Sequence, residues 1–381
     1  MKKLFLVINV DKFFLSHRKQ IALAAKKAGY DVTVIASSTG LESQITDLGL
    51  KYINLPMNKT GMNPKEEYKT YKFLKKLYKK EKPDIIHQVG LKPILWGTIA
   101  ARKSGIKNVV NAVSGTGFLF SPAKRNSIVS KGICKILSFY SSKKNYKYIF
   151  QNTDDEKEFI DAGIIKHNQV TFIKGSGVDL NDFAYIPETK KDNSKIKCVF
   201  TGRMVEDKGI LVIFEAAKIL KEMYSDKIEF WLCGDLDANP NALKKEQIES
   251  ECDGTYVKWL GFQKNIKDIL SQCHIMIFPS FYMEGLPKSV IDGEAVGLPV
   301  ITTDWVGCRD TVINGENGFL IPIKNANALA KKITILVENE ELRKKMGKNA
   351  RAYAEKYFSI DSVIEKHLDI YKSFFIYNKD K

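Results

Sequence analysis

Two carboxylates stand close together in the sequence between residues 278 and 300. Glu284 follows a short apolar run that is predicted to be a strand, and Asp292 comes eight residues later. Between them Gly285-Leu286-Pro287 is predicted to open a helix, because proline is favoured where its missing N–H is not needed. The free N–H groups and the dipole at such a helix end attract a phosphate, and the carboxylates would accept hydrogen bonds from sugar hydroxyls. This combination indicates a site for a nucleotide sugar, the alternative being a turn that serves only as a helix entry.

Two cations form a second candidate group. Arg203 comes directly after a predicted strand, in Thr201-Gly202-Arg203, and Lys208-Gly209 precedes an apolar-periodic helix. Cations at a strand-to-helix turn suit a diphosphate, whose charge has to be neutralised when it is bound and when it leaves. Taken alone, the pair is equally compatible with solvated surface charges. Its presence in the same chain as the Glu284 segment favours the diphosphate.

These motifs resemble those of retaining nucleotide-sugar glycosyltransferases of the GT-B fold, in particular glycosyltransferase family 4, whose characteristic segment has the form E-x7-E. The resemblance is to the bacterial branch that builds capsule, lipopolysaccharide or lipid-linked oligosaccharides, and it extends along nearly all of the chain. Besides the Glu284 segment it rests on Asn9-Val10-Asp11, Phe13-Phe14-Leu15-Ser16-His17-Arg18, Gly175-Ser176-Gly177-Val178-Asp179, Gly202-Arg203, Lys208-Gly209 and Gly307-Cys308-Arg309.

The resemblance implies a role for each matching residue. The family's second glutamate falls on Asp292, with Glu294 two residues further, and Gly297-Leu298-Pro299-Val300 fixes this register. Glu284 would orient the donor sugar and Asp292 would hold the ribose. Transfer would be a front-side displacement in which the leaving diphosphate helps to deprotonate the acceptor, so that no protein nucleophile is required. The residues implied in donor binding are Arg203, Lys208, Glu284, Gly285, Leu286, Pro287, Lys288, Asp292, Ser114 and Gly177.

The acceptor side has to supply polar groups of its own. Many relatives carry a histidine at the end of the fifth strand, where this chain has Ser114. His87 and His17 lie on the same side of the predicted fold, but each is interpreted as a packed or capping side chain, and His274 is interpreted as structural. Asp11, in the first strand-to-helix loop, is the predicted acceptor-side carboxylate. The predicted catalytic set is therefore Glu284, Arg203, Lys208 and Asp11.

No metal and no dinucleotide cofactor is expected. Asp235-Leu236-Asp237 has the Asp-x-Asp form with which another glycosyltransferase fold holds a divalent metal, but here two cations and a helix end already serve the diphosphate. The first strand-to-helix turn, residues 9–13, lacks the G-x-G-x-x-G pattern of a dinucleotide site. The six cysteines show neither a C-x-x-C pair nor metal-ligand spacing, which indicates reduced core thiols in a cytosolic protein.

The elements that would position these residues alternate in type. Short apolar, β-branched runs alternate with amphipathic segments in both halves of the chain, which is typical of parallel, doubly wound sheets covered on both faces. The predicted fold class is therefore α/β, a GT-B fold with two Rossmann-like doubly wound domains facing a cleft. Residues 1–187 are the predicted acceptor-binding domain, a polar linker spans 187–195, and residues 195–357 bind the nucleotide sugar. The resemblance implies that a helix within 358–381 packs back onto the first domain.

The charge is unevenly distributed along the chain. Residues 1–190 contain 32 Lys and Arg against 16 Asp and Glu, whereas residues 191–381 contain 28 of each kind. A basic first half suits contact with an anionic cytoplasmic leaflet, above all between Phe118 and Tyr148, where Lys and Arg alternate with aliphatic residues. A basic surface that only maintains solubility is the alternative. The cations of this stretch are Lys124, Arg125, Lys131, Lys135, Lys143, Lys144 and Lys147.

No segment is expected to cross the membrane. Asp11 and Lys12 cut short the first apolar run, no small-residue cleavage site follows it, and no run of about 18 apolar residues occurs elsewhere. The predicted location is cytoplasmic, with peripheral attachment to the inner face of the cytoplasmic membrane.

The predicted function is transfer of a sugar, an N-acetylhexosamine, from a UDP-sugar to a polyprenyl-diphosphate-linked glycan at the membrane, in the synthesis of a bacterial surface polysaccharide or oligosaccharide. The choice of donor rests on the branch that the chain resembles. One alternative is a nucleotide-sugar epimerase of the same fold, which needs more acid and base residues around the sugar. Another is a basic nucleic-acid-binding module, but the lysine-rich segment 68–80 has the spacing of an ordinary surface helix, with its lysines facing outward. The predicted core stripe of this helix is Tyr68, Tyr71, Leu74, Leu77 and Tyr78. No nucleic-acid partner is therefore expected.

Overall fold

A computed structural model of the protein describes residues 1–58, 63–117, 119–121, 124–192, 194–237 and 242–376. Phe118 of the predicted membrane contact and Asn193 of the predicted linker lie outside these residues. The chain divides into two compact units. The first combines residues 1–176 with residues 360–381, and the second comprises residues 177–359.

The first unit is built on a seven-stranded parallel sheet with the spatial order β3-β2-β1-β4-β5-β6-β7. Its central strands are runs of buried apolar residues, as expected where helices cover both faces. The strand order reverses between β1 and β4, and open α/β sheets bind ligands at the carboxyl edge of such a switch point. The strands are β1 (Lys2–Val10), β2 (Tyr30–Ser37), β3 (Lys51–Asn54), β4 (Ile85–Val89), β5 (Val109–Ala112), β6 (Tyr146–Phe150) and β7 (Val170–Phe172).

Helices follow most strands of this sheet and bury one face on it. α4 shows the local rules clearly: the Asn63 side chain accepts the Lys65 N–H at its start, Pro64 occupies the first turn, and Leu74 and Tyr78 face the core. The helices are α1 (Asp11–His17), α2 (Lys19–Lys27), α3 (Glu42–Thr46), α4 (Pro64–Glu81), α5 (Leu91–Lys103), α6 (Ile128–Ser141) and α7 (Thr153–Asp161).

The second unit repeats the architecture with a six-stranded parallel sheet of order β10-β9-β8-β11-β12-β13. Here the order reverses between β8 and β11. Its strands are β8 (Ile196–Thr201), β9 (Ile228–Cys233), β10 (Val257–Gly261), β11 (Ile275–Phe278), β12 (Val300–Thr303) and β13 (Gly318–Ile321). Its helices are α8 (Ile210–Tyr224), α9 (Lys245–Glu249), α10 (Ile266–Leu270), α11 (Lys288–Ala295), α12 (Ala326–Glu338) and α13 (Glu340–Tyr357).

The last helix, α14 (Ile360–Ile376), belongs to the first unit. It buries Val363, Ile370 and Phe374 in the same core as the strands of that unit. The Tyr371 hydroxyl lies 2.6 Å from Nδ1 of His87 on β4, which fixes the helix against the sheet. Within the described residues, no helix combines the length and the apolar character that crossing a bilayer requires.

The division between the units falls before the polar stretch that the sequence suggested as a linker. The Val178 N–H donates to the Phe358 carbonyl oxygen at 2.8 Å, and Nη1 of Arg351 donates to the Phe183 carbonyl oxygen at 2.8 Å. These bonds attach Val178 and Phe183 to α13 and to the residue that follows it, so this part of the chain packs with the second unit. Its backbone finds its partners far along the chain, which a local composition signal does not reveal.

Candidate functional site

The turn that carries Glu284 is held by two close backbone approaches. Gly209 has φ of +80°, and a Cβ there would come within 2.2 Å of the Pro279 carbonyl oxygen. Gly307, with φ of +73°, faces the backbone of Glu284 and Gly285, where a Cβ would lie 2.3 Å from the Gly285 oxygen. Only glycine fits at either position. The loops that follow β8, β11 and β12 are therefore packed directly on one another.

Lys208 and Glu284 form an ion pair at this junction. The ammonium of Lys208 meets Oε1 of Glu284, with 11% and 12% of the two side chains exposed. The Phe281 N–H (2.8 Å) and the Ser280 hydroxyl (3.2 Å) both donate to the Asp207 carbonyl oxygen, which holds the turn before Lys208 against the loop after β11. The Ser280 hydroxyl also lies 3.4 Å from Oε1 of Glu284. The structure thus brings two of the predicted catalytic residues into direct contact.

Arg203 lies beside the same aromatic ring as Lys208. Its guanidinium carbon is 5.8 Å from the centre of the Tyr282 ring, and Nζ of Lys208 is 5.5 Å from that centre. Nη1 of Arg203 donates to Oδ2 of Asp237 at 3.0 Å. Burial alone would lower the pKa of Arg203, but the hydrogen bond and charge of Asp237 outweigh it and raise the pKa. Two cations held at one ring form a group suited to a diphosphate.

The helix that follows Glu284 begins one residue later than the sequence indicated. α11 starts at Lys288, with Pro287 at the N-cap position rather than inside the helix, after the buried Gly285 and Leu286. The first N–H groups of a helix lack intrahelical partners, so this end suits an anion. Lys288 pairs with Asp292 one turn further on. Burial raises the pKa of Asp292, against the opposing effect of the Lys288 charge.

The two carboxylates of α11 have different surroundings. Glu294 is fully buried and accepts a hydrogen bond from Nδ2 of Asn317 at 2.7 Å, while Oδ1 of Asn317 accepts the Ile313 N–H at 2.7 Å. Glu294 therefore anchors the loop before β13. Asp292 lies nearer the surface, beside Lys288. This arrangement favours the register that matches Asp292, rather than Glu294, to the family's second glutamate.

In the first unit, Asp11 directly follows β1 and is fully buried. Its carboxylate accepts the backbone N–H groups of Lys12 (2.7 Å), Thr39 (2.7 Å) and Leu41 (3.1 Å) and the Thr39 hydroxyl. Burial alone would raise the pKa of Asp11, but these hydrogen bonds, led by that of the Thr39 hydroxyl, lower it. A carboxylate with four donors and a lowered pKa is a poor base. The geometry thus favours a role in positioning the loops after β1 and β2 over the catalytic role expected from the sequence.

Arg18, between α1 and α2, has surroundings that the sequence did not indicate. Its side chain is 2% exposed, and it donates to the His17 carbonyl oxygen (3.1 Å) and to Oγ of Ser114 (3.4 Å). Its Nε is buried without a hydrogen-bond partner among the described residues. Burial lowers the pKa of Arg18 to about 10, with Tyr371 opposing. A buried cation with donors to spare beside the half-buried Ser114 suits an anionic group of a ligand.

The buried imidazoles have structural surroundings. Nδ1 of His87 lies 2.6 Å from the Tyr371 hydroxyl, and its ring stacks on His367 at 5.4 Å. Burial, with the charges of His367 and Arg18, holds the pKa of His87 well below its ordinary value. In the second unit, burial lowers the pKa of His274 to about 3. These histidines support the sheets rather than the chemistry.

Three residues that contact the predicted site residues were given no role from the sequence alone, namely Ser280, Tyr282 and Arg18. Ser280 and Tyr282 lie in the same turn as Glu284, so their place between a strand and a helix was an available signal. Gly177, predicted to bind the donor, lies near the start of the second unit with φ of +80°. In the part of the chain that the structure describes, no group of His, Cys, Asp and Glu is arranged to hold a metal ion.

Each of the two units is an α/β unit built on a parallel sheet. One of them carries cations, a carboxylate and a helix start at its switch point, and this combination defines a glycosyltransferase of the GT-B fold. A glycosyl transferase 4-like family model matches residues 3–152, and a model of glycosyl transferases group 1 matches residues 182–353. Together the two models cover most of the chain. The chain belongs to the glycosyltransferases that combine these two domains, as the sequence motifs predicted.

Sequence similarity to two named enzymes and structural similarity to a third protein support this assignment. The chain is 29% identical to the N,N'-diacetylbacillosaminyl-diphospho-undecaprenol alpha-1,3-N-acetylgalactosaminyltransferase of Campylobacter jejuni, over 94% of this chain and 97% of that one. It is 28% identical to the UDP-Gal:alpha-D-GlcNAc-diphosphoundecaprenol alpha-1,3-galactosyltransferase of Escherichia coli, over 90% and 89%. The crystal structure of a glycosyltransferase from Rickettsia africae matches with a TM-score of 0.78 at 22% identity, covering 100% of both chains. The predicted fold and the predicted enzyme class are confirmed.

Proposed function

We propose that this glycosyltransferase moves an N-acetylhexosamine, with retention of configuration, from a UDP-sugar to a polyprenyl-diphosphate-linked glycan. The relatives from Campylobacter jejuni and Escherichia coli bear names that specify α-linked transfer to diphospho-undecaprenol acceptors. An α-linked product from an α-linked UDP-sugar retains the configuration of the donor. The single observation that carries the proposal is the Lys208–Glu284 pair at the start of α11.

The second unit supplies the groups that a nucleotide sugar needs. Lys208 and Arg203, held at the Tyr282 ring, neutralise the diphosphate both when it is bound and when it departs. The helix start at Lys288 adds backbone donors of the correct polarity. Glu284, held by Lys208, accepts hydrogen bonds from the sugar hydroxyls, and Asp292 accepts them from the ribose.

The reaction we propose breaks the bond between the anomeric carbon and the diphosphate oxygen and forms one to the acceptor oxygen on the same face. The acceptor proton passes to the departing diphosphate. Lys208 and Arg203 stabilise the charge that develops there, because fixed cations in a partly buried site need no reorganisation during the reaction. Asp11 positions its loops, and no protein nucleophile takes part.

The first unit is proposed to receive the acceptor. Arg18 and Ser114 lie near the carboxyl edge of its sheet, where the loops after β1 and β5 end. The spare donors of Arg18 suit a phosphate of the lipid carrier.

Attachment to an anionic membrane is proposed for α6 and the turn before it. Lys124, Arg125, Lys131 and Lys135 stand beside exposed aliphatic side chains of this helix. Such a combination binds reversibly at the surface of anionic leaflets. Leu119, Phe120 and Leu137 of the predicted contact are instead buried in the core, so they do not contribute. The enzyme would then work at the cytoplasmic face, where nucleotide sugars are available.

The experiment that tests the donor assignment is saturation-transfer NMR of the whole chain with UDP-, GDP- and CMP-sugars. We expect UDP-N-acetylglucosamine and UDP-N-acetylgalactosamine to give the strongest signals, with saturation at the uridine and at the sugar. Preferential binding of GDP- or CMP-sugars would contradict the proposed donor.

The epimerase alternative is tested by incubating UDP-N-acetylglucosamine with the enzyme in the absence of an acceptor. A glycosyltransferase leaves the sugar unchanged or releases it slowly by hydrolysis. Interconversion to another UDP-N-acetylhexosamine, detected by chromatography, would indicate an epimerase instead.

A further inference from the structure

The first unit contains an apolar groove between α4, α5 and α6. It encloses about 680 Å³, within the range of small-molecule binding pockets. Its lining includes Leu95 and Trp96 of α5, Ile133 and Ile136 of α6, and Tyr68 of α4. Tyr68 was predicted to be part of a core stripe, but it is 56% exposed and borders the groove.

The charged groups of the groove are paired with each other. Glu67 accepts the indole N–H of Trp96 and pairs with Nζ of Lys92 at 2.6 Å. Nζ of Lys92 also donates to the Asn58 carbonyl oxygen at 2.7 Å. A nucleotide or a sugar would have to break these bonds and find other partners, whereas a hydrocarbon leaves them intact. The lining therefore selects an apolar ligand.

The outer edge of α6 continues this apolar surface. Ile128 is 90% exposed and Phe139 is 62% exposed, although neither borders the groove, while Val129 and Ile136 are half-exposed and do border it. Lys131 and Lys135 lie on a further face of the same helix, around a separate polar pocket. One helix thus presents aliphatic side chains toward the groove and cations beside them.

We propose that this groove binds the first isoprene units of the lipid-linked acceptor, and this inference rests on the proposed function. An isoprenoid diphosphate joins a branched hydrocarbon chain to a strong anion, which matches an aliphatic groove formed in part by a helix that carries lysines on a further face. A second copy of this chain is a poor occupant, because it would bring one basic surface against another. A bilayer acyl chain would contact the outer edge of α6 as well as the groove, so mutations separate it from the isoprenoid.

The test compares two double variants of α6 that add the same charge. Val129→Glu with Ile136→Glu alters the groove, whereas Ile128→Glu with Phe139→Glu alters only the outer edge. Calorimetric titration with geranylgeranyl diphosphate, in vesicle-free solution below its critical micelle concentration, gives the affinity of each protein. We expect the groove variant to bind at least tenfold more weakly than wild type and the edge variant to bind within twofold of wild type. Inorganic diphosphate, which lacks the chain, should bind the two variants equally.

Equal losses in both variants would overturn the proposal, since added negative charge alone would then explain them. Unchanged binding by the groove variant would overturn it as well. All four positions are at least partly exposed. Circular dichroism and thermal unfolding of each variant are the controls for correct folding. Transfer of sugar to a lipid-linked acceptor by the wild type separates the two proposals. If the wild type catalyses this transfer and the groove variant still binds geranylgeranyl diphosphate with wild-type affinity, only the proposal for the groove is wrong.

Discussion

The cations proposed to bind ligands have different partners in the two units. In the second unit the cations at the candidate site are each held by a carboxylate, in the pairs Lys208–Glu284, Arg203–Asp237 and Lys288–Asp292. In the first unit the buried Arg18 donates to neutral oxygen atoms, and α6 leaves aliphatic side chains in solvent. The charge excess of the chain lies in the first half of the sequence.

This difference indicates two kinds of ligand. Paired cations stay in place without a ligand, so a small diphosphate meets a site that is already arranged. A basic, apolar surface with a buried cation is instead suited to a large amphiphilic ligand that brings both an anion and hydrocarbon. Donor and lipid-linked acceptor are such a pair of ligands, and variants of either unit should affect one and spare the other.

The largest effect is expected from Glu284→Gln. The loss of one charged group that orients the sugar and holds Lys208 should lower kcat by about 10²–10³-fold. Affinity for UDP, measured by calorimetry, should change only slightly, because UDP lacks the transferred sugar that Glu284 is proposed to contact. Glu246→Gln, on the exposed surface of α9, is the matched control. A folded Glu284→Gln enzyme with wild-type kcat would remove Glu284 from the chemistry.

Lys208→Ala and Arg203→Ala should weaken binding of UDP itself. Each loses a hydrogen bond to a charged group, worth about 1.5–3 kcal/mol, so Kd should rise by about 10- to 150-fold. The exposed Lys264→Ala is the control for charge alone. If either variant lost affinity for the UDP-sugar and none for UDP, its cation would contact the sugar rather than the diphosphate.

The sequence predicts the site residues of the second unit better than those of the first. The strand–helix alternation and the spacing of Glu284, Lys208 and Arg203 are local patterns, so the fold and the second unit's site residues were accessible before the structure. The surroundings of Asp11 and Arg18 come from segments far along the chain, at Thr39, Leu41 and Ser114. No window of sequence shows such contacts. The groove likewise depends on how three separate helices pack.

Replacing Lys124, Arg125, Lys131 and Lys135 by Gln should weaken binding to anionic vesicles about tenfold. Each cation near such a surface contributes up to about 1 kcal/mol, and part of this is screened by salt. Cosedimentation with vesicles of anionic and of neutral lipid measures the effect, and high salt should release the wild type. Equal binding of the wild type to both kinds of vesicle would show that the charge excess serves another purpose.

The two carboxylates of α11 should respond differently to truncation. Asp292→Ala should weaken donor binding several-fold with little change in Tm, whereas Asp292→Glu, the family residue, should be tolerated. Glu294→Ala removes the charged acceptor of the Asn317 amide, which keeps only the Thr311 carbonyl oxygen at 3.2 Å, and should cost about 1–3 kcal/mol of unfolding free energy. A larger loss of donor affinity in Glu294→Ala than in Asp292→Ala would shift the register to Glu294.

The smallest effect is expected from removing divalent metal. Arg203 and Lys208 neutralise the diphosphate in this account, so transfer should continue at an unchanged rate in excess EDTA. A strict requirement for Mg²⁺ or Mn²⁺ would instead give Asp235 and Asp237 a metal-binding role.

The most direct test of the central claim is the anomeric configuration of the product. The whole enzyme would be incubated with UDP-N-acetylgalactosamine or UDP-N-acetylglucosamine and a synthetic N-acetylhexosaminyl-diphospho-polyprenol, and the purified product examined by NMR. We expect a new α-glycosidic linkage, formed by the wild type and nearly absent with Glu284→Gln. A β-linked product, or transfer from GDP- or CMP-sugars alone, would contradict it.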